Sequence, residues 1–141
     1  MSIRKRLMRG LGAAYRLLYR LPVIGDPLVR GIGRFIAFMG HHSSYGMKDG
    51  SSIAALRKDL ERALAFMDID AAIVHEDGEK LVLALSACPY GFDRPGDTGV
   101  CDAAMEQDRA MFGYCGAKLV IDECIPGGAP ACRVSVYLDS V

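Results

Sequence analysis

The chain has 141 residues, 51% of them hydrophobic and 24% charged, with no formal net charge. That is enough for one domain with one hydrophobic core, and it excludes a disordered chain. No run of about 18 apolar residues occurs, so no bilayer-spanning segment is expected. Arg9, Arg16 and Arg20 interrupt every candidate secretory signal. The expected compartment is the reducing cytoplasm, with the inner membrane surface as a peripheral location.

Charge is unevenly spread. Residues 1–40 hold eight Arg or Lys against one acid, Asp26, so the remainder is acidic. The sequence thus divides into a basic arm, residues 1–47, and an acidic body, residues 48–141. On a helix, Ile3, Leu7, Leu11, Ala14 and Leu18 form one apolar line flanked by Met8, Tyr15 and Tyr19. Lys5, Arg6, Arg9, Arg16 and Arg20 gather opposite, and Pro22 ends the helix. A second amphipathic helix is predicted over 28–39, after the Gly25-Asp26-Pro27 turn.

Such an arm fits a membrane surface or an acidic protein partner, through Leu7, Leu11, Tyr15 and Leu18 with Arg9, Arg16 and Arg20. It equally fits a helix that covers its own core. If the arm is a docking device, residues 1–20 can be removed from a folded body. Nucleic acid is not expected, because the basic residues back an apolar stripe and no recognition motif follows. His41-His42 falls in a Gly/Ser-rich segment and reads as a solvated loop, since adjacent histidines seldom ligate one ion.

In the body, Ser51 or Ser52 caps a helix over 53–67, with Ile53, Leu56, Leu60, Leu64 and Met67 as its buried stripe. Asp77-Gly78 between two apolar runs signals a hairpin of strands 71–75 and 80–87. After Cys88-Pro89-Tyr90-Gly91 and a loop, a helix is predicted from about 100 to 112, with Glu106, Gln107 and Asp108 on its polar side. Strands 119–124 and 133–139 close the chain around Pro126-Gly127-Gly128-Ala129-Pro130. The fold class is α+β: an antiparallel sheet of two hairpins with packed helices, preceded by amphipathic helices.

All five cysteines, Cys88, Cys101, Cys115, Cys124 and Cys132, lie in the last third of the chain. In a reducing compartment, clustered cysteines are more often metal-binding or catalytic than disulfide-bonded. Cys101 falls in the first turn of its predicted helix, where free N–H groups favour thiolate. Zinc is the first choice and an iron–sulfur cluster the second. The spacings match neither zinc ribbons nor bacterial ferredoxins, and cysteines that merely pack are the third reading.

Glu123-Cys124, a glycine-bearing turn and Cys132-Arg133-Val134 resemble the closing hairpin of the V4R (4-vinyl reductase) domain family. Phe112-Gly113-Tyr114-Cys115-Gly116-Ala117 is similar to that family's segment after a helix. Cys88-Pro89-Tyr90 resembles methanogen-output-domain-like and aminothiazoline carboxylate hydrolase-like relatives. The likeness covers about residues 80–138 and leaves out the basic arm. It implies an α+β module that senses a small hydrophobic ligand or binds proteins, with zinc held by Cys101, Cys124 and Cys132. The family's glutamate lies where this chain has Ile121, so Cys88 is taken as fourth ligand, with Cys115 and Glu123 as alternatives.

An enzyme with a cysteine nucleophile needs a base in reach, and no motif puts His41, His42 or His75 there. There is no phosphate loop or dinucleotide fingerprint. The sequence therefore favours a metal-binding sensory module over an enzyme. An iron–sulfur electron-transfer protein and a hydrolase-like enzyme are the alternatives. A homodimer is compatible with all three.

Overall fold

A computed structural model of the chain describes residues 1–44 and 46–138. Helix α1 spans Ile3–Tyr19, α2 Gly25–His41 and α3 Ile53–Met67. Strands β1 (Ala72–Glu76) and β2 (Lys80–Leu85) follow. A 3-10 turn at Pro95–Asp97 leads into α4 (Thr98–Ala104) and α5 (Glu106–Gly113). Strands β3 (Ala117–Glu123) and β4 (Cys132–Leu138) close the chain. The four strands form one antiparallel sheet in the order β1-β2-β4-β3. The fold is thus α+β, with two hairpins joined edge to edge.

Local chemistry explains the elements. Ser2 and Ser52 cap α1 and α3, each hydroxyl accepting from a backbone N–H three residues on. The Asp77 carboxylate accepts from the Glu79 and Lys80 N–H groups at 2.8 and 3.0 Å, which fixes the first hairpin. Register then sets the faces. Leu83 and Ile121 both pair with Val134, and Leu81 and Leu119 both pair with Val136, so one sheet face is apolar. Leu56, Leu60 and Ala63 of α3 and Phe112 of α5 cover that face as the main core.

A second buried cluster lies beyond it. Tyr15 of α1 and Val29 of α2 meet Tyr90 and Phe92 of the loop after β2, and Val100, Cys101, Ala103 and Ala104 of α4. The helices of residues 1–47 therefore share a core with the cysteine-bearing segment. Gly12 makes this approach feasible: a Cβ there would stand 2.0 Å from the Tyr90 carbonyl oxygen.

Several sequence expectations change. The single helix over 100–112 is two helices, broken at Met105. Helix α2 starts three residues earlier than expected and reaches His41, because Gly25 packs tightly against the end of α1. His41 is half-buried rather than solvated, stacked on Tyr114 at 4.4 Å. The last strand is described only to Leu138; the expected end at Asp139 lies outside the described residues.

Candidate functional site

A cavity of about 130 Å³ lies between the apolar sheet face, α3, α4 and α5. Its body is lined by side chains such as Leu60, Leu64, Leu83 and Phe112. Four of the chain's seven methionines also line it: Met8, Met67, Met105 and Met111. Methionine is flexible and polarisable, so this wall can adapt to ligand shape. Apolar cavities of about this size take up a single small ring in other proteins.

Cys88, Cys101, Cys124 and Cys132 all line this cavity, and Glu123 lines it too. Each arrives from a different element. Cys88 sits in the turn after β2, whose carbonyl accepts from Gly91 at 3.0 Å. Cys101 is in α4. Cys124 and Cys132 flank the closing loop, where the Cys124 carbonyl accepts from Gly127 at 3.1 Å and from Ala129 at 3.3 Å. Gly128 has φ +100° and so lets this loop turn back without strain. The Ile125 N–H donates to the Cys132 sulfur at 3.4 Å.

Cys115 is elsewhere. It is buried in the main core behind β3, against the Gly50 backbone. His41, His42 and His75 do not line the cavity either; His75 pairs with Asp77 at 2.9 Å. All five cysteines are free. Among the described residues, no three His, Cys, Asp or Glu side chains are gathered closely enough to hold one ion as they stand.

The electrostatics of Cys101 differ from the sequence expectation. Its thiol is pushed up to about 12, first by burial and then by Cys88, Cys124 and Cys132. Burial outweighs the helix start, because α4 begins three residues before Cys101 and the sulfur faces inward. Burial raises Cys132 as well, offset in part by the Ile125 N–H, and raises Cys115 in the main core. Without a cation, Cys101 is a protonated thiol; a bound cation reverses that, since a coordinating thiol is deprotonated.

Sequence reasoning missed the polar groups of the cavity. Gln107 and Asp108, assigned to a solvated helix side, both line it. Gln107 accepts from the buried Tyr90 hydroxyl at 3.4 Å. Asp108 is half-buried and lines the cavity. Desolvation lifts its carboxyl to about 6, against a modest opposing pull from Arg109. Asp108 in turn contributes, after burial, to the raised hydroxyls of Tyr15 and Tyr90.

The loop from Cys88 to Cys101 is held from the N-terminal arm. Arg16 donates to both oxygens of Asp97, at 3.1 and 2.7 Å, and to the Gly91 carbonyl at 2.6 Å. Its guanidinium also lies over the Phe92 ring at 5.6 Å. Hydrogen bonds from Arg16 hold the Asp97 carboxyl below the usual range. This fork fixes the loop by charge-assisted bonds at both ends.

No family model matches this chain, and no curated protein matches it.

The expected docking face is divided by the fold. Tyr15 is fully buried, Leu11 and Leu18 pack on the second cluster, and Arg16 grips Asp97. Leu7, Arg9 and Arg20 remain outward. The apolar line of α1 is long enough for two faces, and the protein's own core takes the larger one.

Proposed function

We propose that the chain is a V4R-like sensory module that couples a cysteine metal site to a cavity for a small hydrophobic ligand. The single observation that supports this reading is the convergence of Cys88, Cys101, Cys124 and Cys132 on one apolar cavity while Cys115 stays apart. Four thiols from four separate segments have no reason to share one wall as packing residues alone. Cysteine does pack as a small hydrophobe, but Cys115 already shows that use in the main core.

The donor set fits zinc first and an iron–sulfur cluster second, both of which take thiolate ligands. Cys124 and Cys132 would hold the metal from the hairpin, Cys101 from α4 and Cys88 from the turn after β2. Glu123 is the oxygen donor at the same wall. As they stand these side chains are not gathered closely enough to hold one ion, so binding would have to draw them together. A metal held there by four thiolates would tie the turn after β2, α4 and the closing hairpin together beside the cavity. The protein's residues supply the rest: methionine and leucine side chains exclude water, and Asp108 with the Gln107–Tyr90 pair offers polar contacts to a ligand. A cytoplasmic location agrees with free thiols.

Serine substitution followed by metal analysis tests the site. The Cys88, Cys101, Cys124 and Cys132 variants should each lose metal affinity by about tenfold or more, since even outer-shell partners are worth about 10–100-fold. Cys115→Ser should keep its metal. Full retention in Cys124→Ser or Cys132→Ser would overturn the site. A colourless protein with stoichiometric zinc supports the first metal; a brown protein isolated without oxygen supports the second.

A further inference from the structure

We infer that the outward faces of α1 and α2, with the turn between them, form a docking surface for an anionic lipid bilayer. Helix α2 packs on α4 and α5, and α1 packs on α2, α4 and the Tyr90–Phe92 loop, which leaves each helix an uncovered side. On α1, Ile3, Leu7 and Leu17 fall within one helical stripe that the core leaves uncovered, and each is exposed by about two thirds. On α2, Phe35 is 62% exposed and Phe38, with its ring against His42, 47%. The exposed α1 side chains extend the apolar line of Leu11 and Leu18 at its uncovered flank.

The turn carries a sharper signal. Val23 has φ 69°, a left-handed conformation that suits glycine and disfavours a β-branched side chain. Glycine or asparagine there would cost less and be better solvated. Instead the chain presents a valine that is 94% exposed, beside Ile24, at the tip of the helical hairpin.

Charge selects the occupant. Among the described residues, Arg6, Arg9 and Arg20 make no ion pair, and all three are exposed on α1 or at its end. Of the other basic side chains before residue 40, Lys5 pairs with Asp70, Arg16 with Asp97, Arg30 with Asp26, Asp102 and Glu106, and Arg34 with Glu106, while Arg4 lies over the Phe66 ring. Asp26 is the one acid before residue 49, and Arg30 holds it at 2.8 Å. A second copy of the same face would bring arginine against arginine. An anionic partner is required. The apolar side chains are spread along two helices of 17 residues, each about 25 Å long, rather than gathered in a groove. That shape fits a plane better than a peptide. No helix is long and apolar enough to cross a membrane, so the hairpin lies on the surface with its arginines at the headgroups.

Cosedimentation of the full chain with phosphatidylserine-containing vesicles, against phosphatidylcholine alone, tests this. The chain should bind the anionic vesicles, less so as salt is raised. Two double variants, Leu17→Asp with Val23→Asp and Arg9→Glu with Arg20→Glu, should each weaken binding by about tenfold or more. Aspartate tolerates the left-handed conformation at position 23, so the first variant should keep its fold, which a thermal melt checks. Val74→Asp, on the edge strand away from this face, should bind as the unaltered chain does. The inference fails if anionic vesicles are not bound, or if the variants bind undiminished. It also fails if polyglutamate is bound and vesicles are not, which would assign the face to an acidic protein.

Discussion

At the residue scale, Asp108 separates what a sequence shows from what it hides. Read as one helix over 100–112, Asp108 belongs to a polar side with Glu106 and Gln107. The helix instead breaks at Met105, which caps α4 and starts α5. Gln107 and Asp108 nevertheless line the cavity. Asp108 stands three residues after Met105 and four before Phe112, the spacing of one helix face, so its charge and not its position had put it with the polar side. The consequence is a pH dependence with a definite sign. The folded-state carboxyl is raised to about 6 from 3.8. Stability from this group is fully present below about pH 4 and is lost as pH rises through about 6, by roughly 3 kcal/mol at most. Asp108→Asn removes that loss. Urea midpoints of the metal-free protein should therefore diverge between pH 4 and 6, with the variant the more stable above. A difference that stays constant with pH would show that the carboxyl does not titrate in this window.

At the element scale, the hairpins were legible and the loops were not. Asp77-Gly78 and the Pro126–Pro130 segment announce their turns chemically, and both hairpins form with register that puts leucine and valine on one face. The cysteines at strand ends were legible for the same reason. The loop over 91–97 had no such signal, because its partner is Arg16, 81 residues away from Asp97. Asp97 is enclosed by its first neighbours yet close to the surface, so water screens the pair and its worth is about 1–2 kcal/mol. Arg16→Ala should cost about that much and should also loosen the loop that carries Cys88 toward Cys101. Metal affinity should then fall while all four cysteines remain. Because the Asp97 carboxyl is depressed, its contribution is present above about pH 4 and lost as pH falls below that. Chemical denaturation of Arg16→Ala at pH 7 and pH 3 checks this: the difference from the unaltered chain should shrink at the lower pH.

At the scale of the whole molecule, the division into a basic arm and an acidic body describes charge and not packing. Composition marks the arm because arginine is visible in a sequence. It cannot show that Tyr15, Leu11 and Leu18 point to a core supplied by residues 88–104. Helix α2 covers part of that core through Val29 and Ile32, and α1 covers the rest with one fully buried tyrosine and the half-buried Met8, Leu11, Leu18 and Tyr19. At about 1.5–3 kcal/mol for a fully buried large side chain and roughly half that for the others, their loss approaches the whole stability of a small domain. Deleting residues 1–20 should therefore not leave an intact body. The truncated chain should lose its cooperative urea transition and bind a hydrophobic dye such as anilinonaphthalene sulfonate, because the second cluster and the Met8 wall of the cavity become exposed. A single sharp transition in the truncated protein would mean that residues 21–141 fold without α1. It also follows that membrane docking must be read from point variants on the outward face, since a deletion would remove the docking surface and the core together.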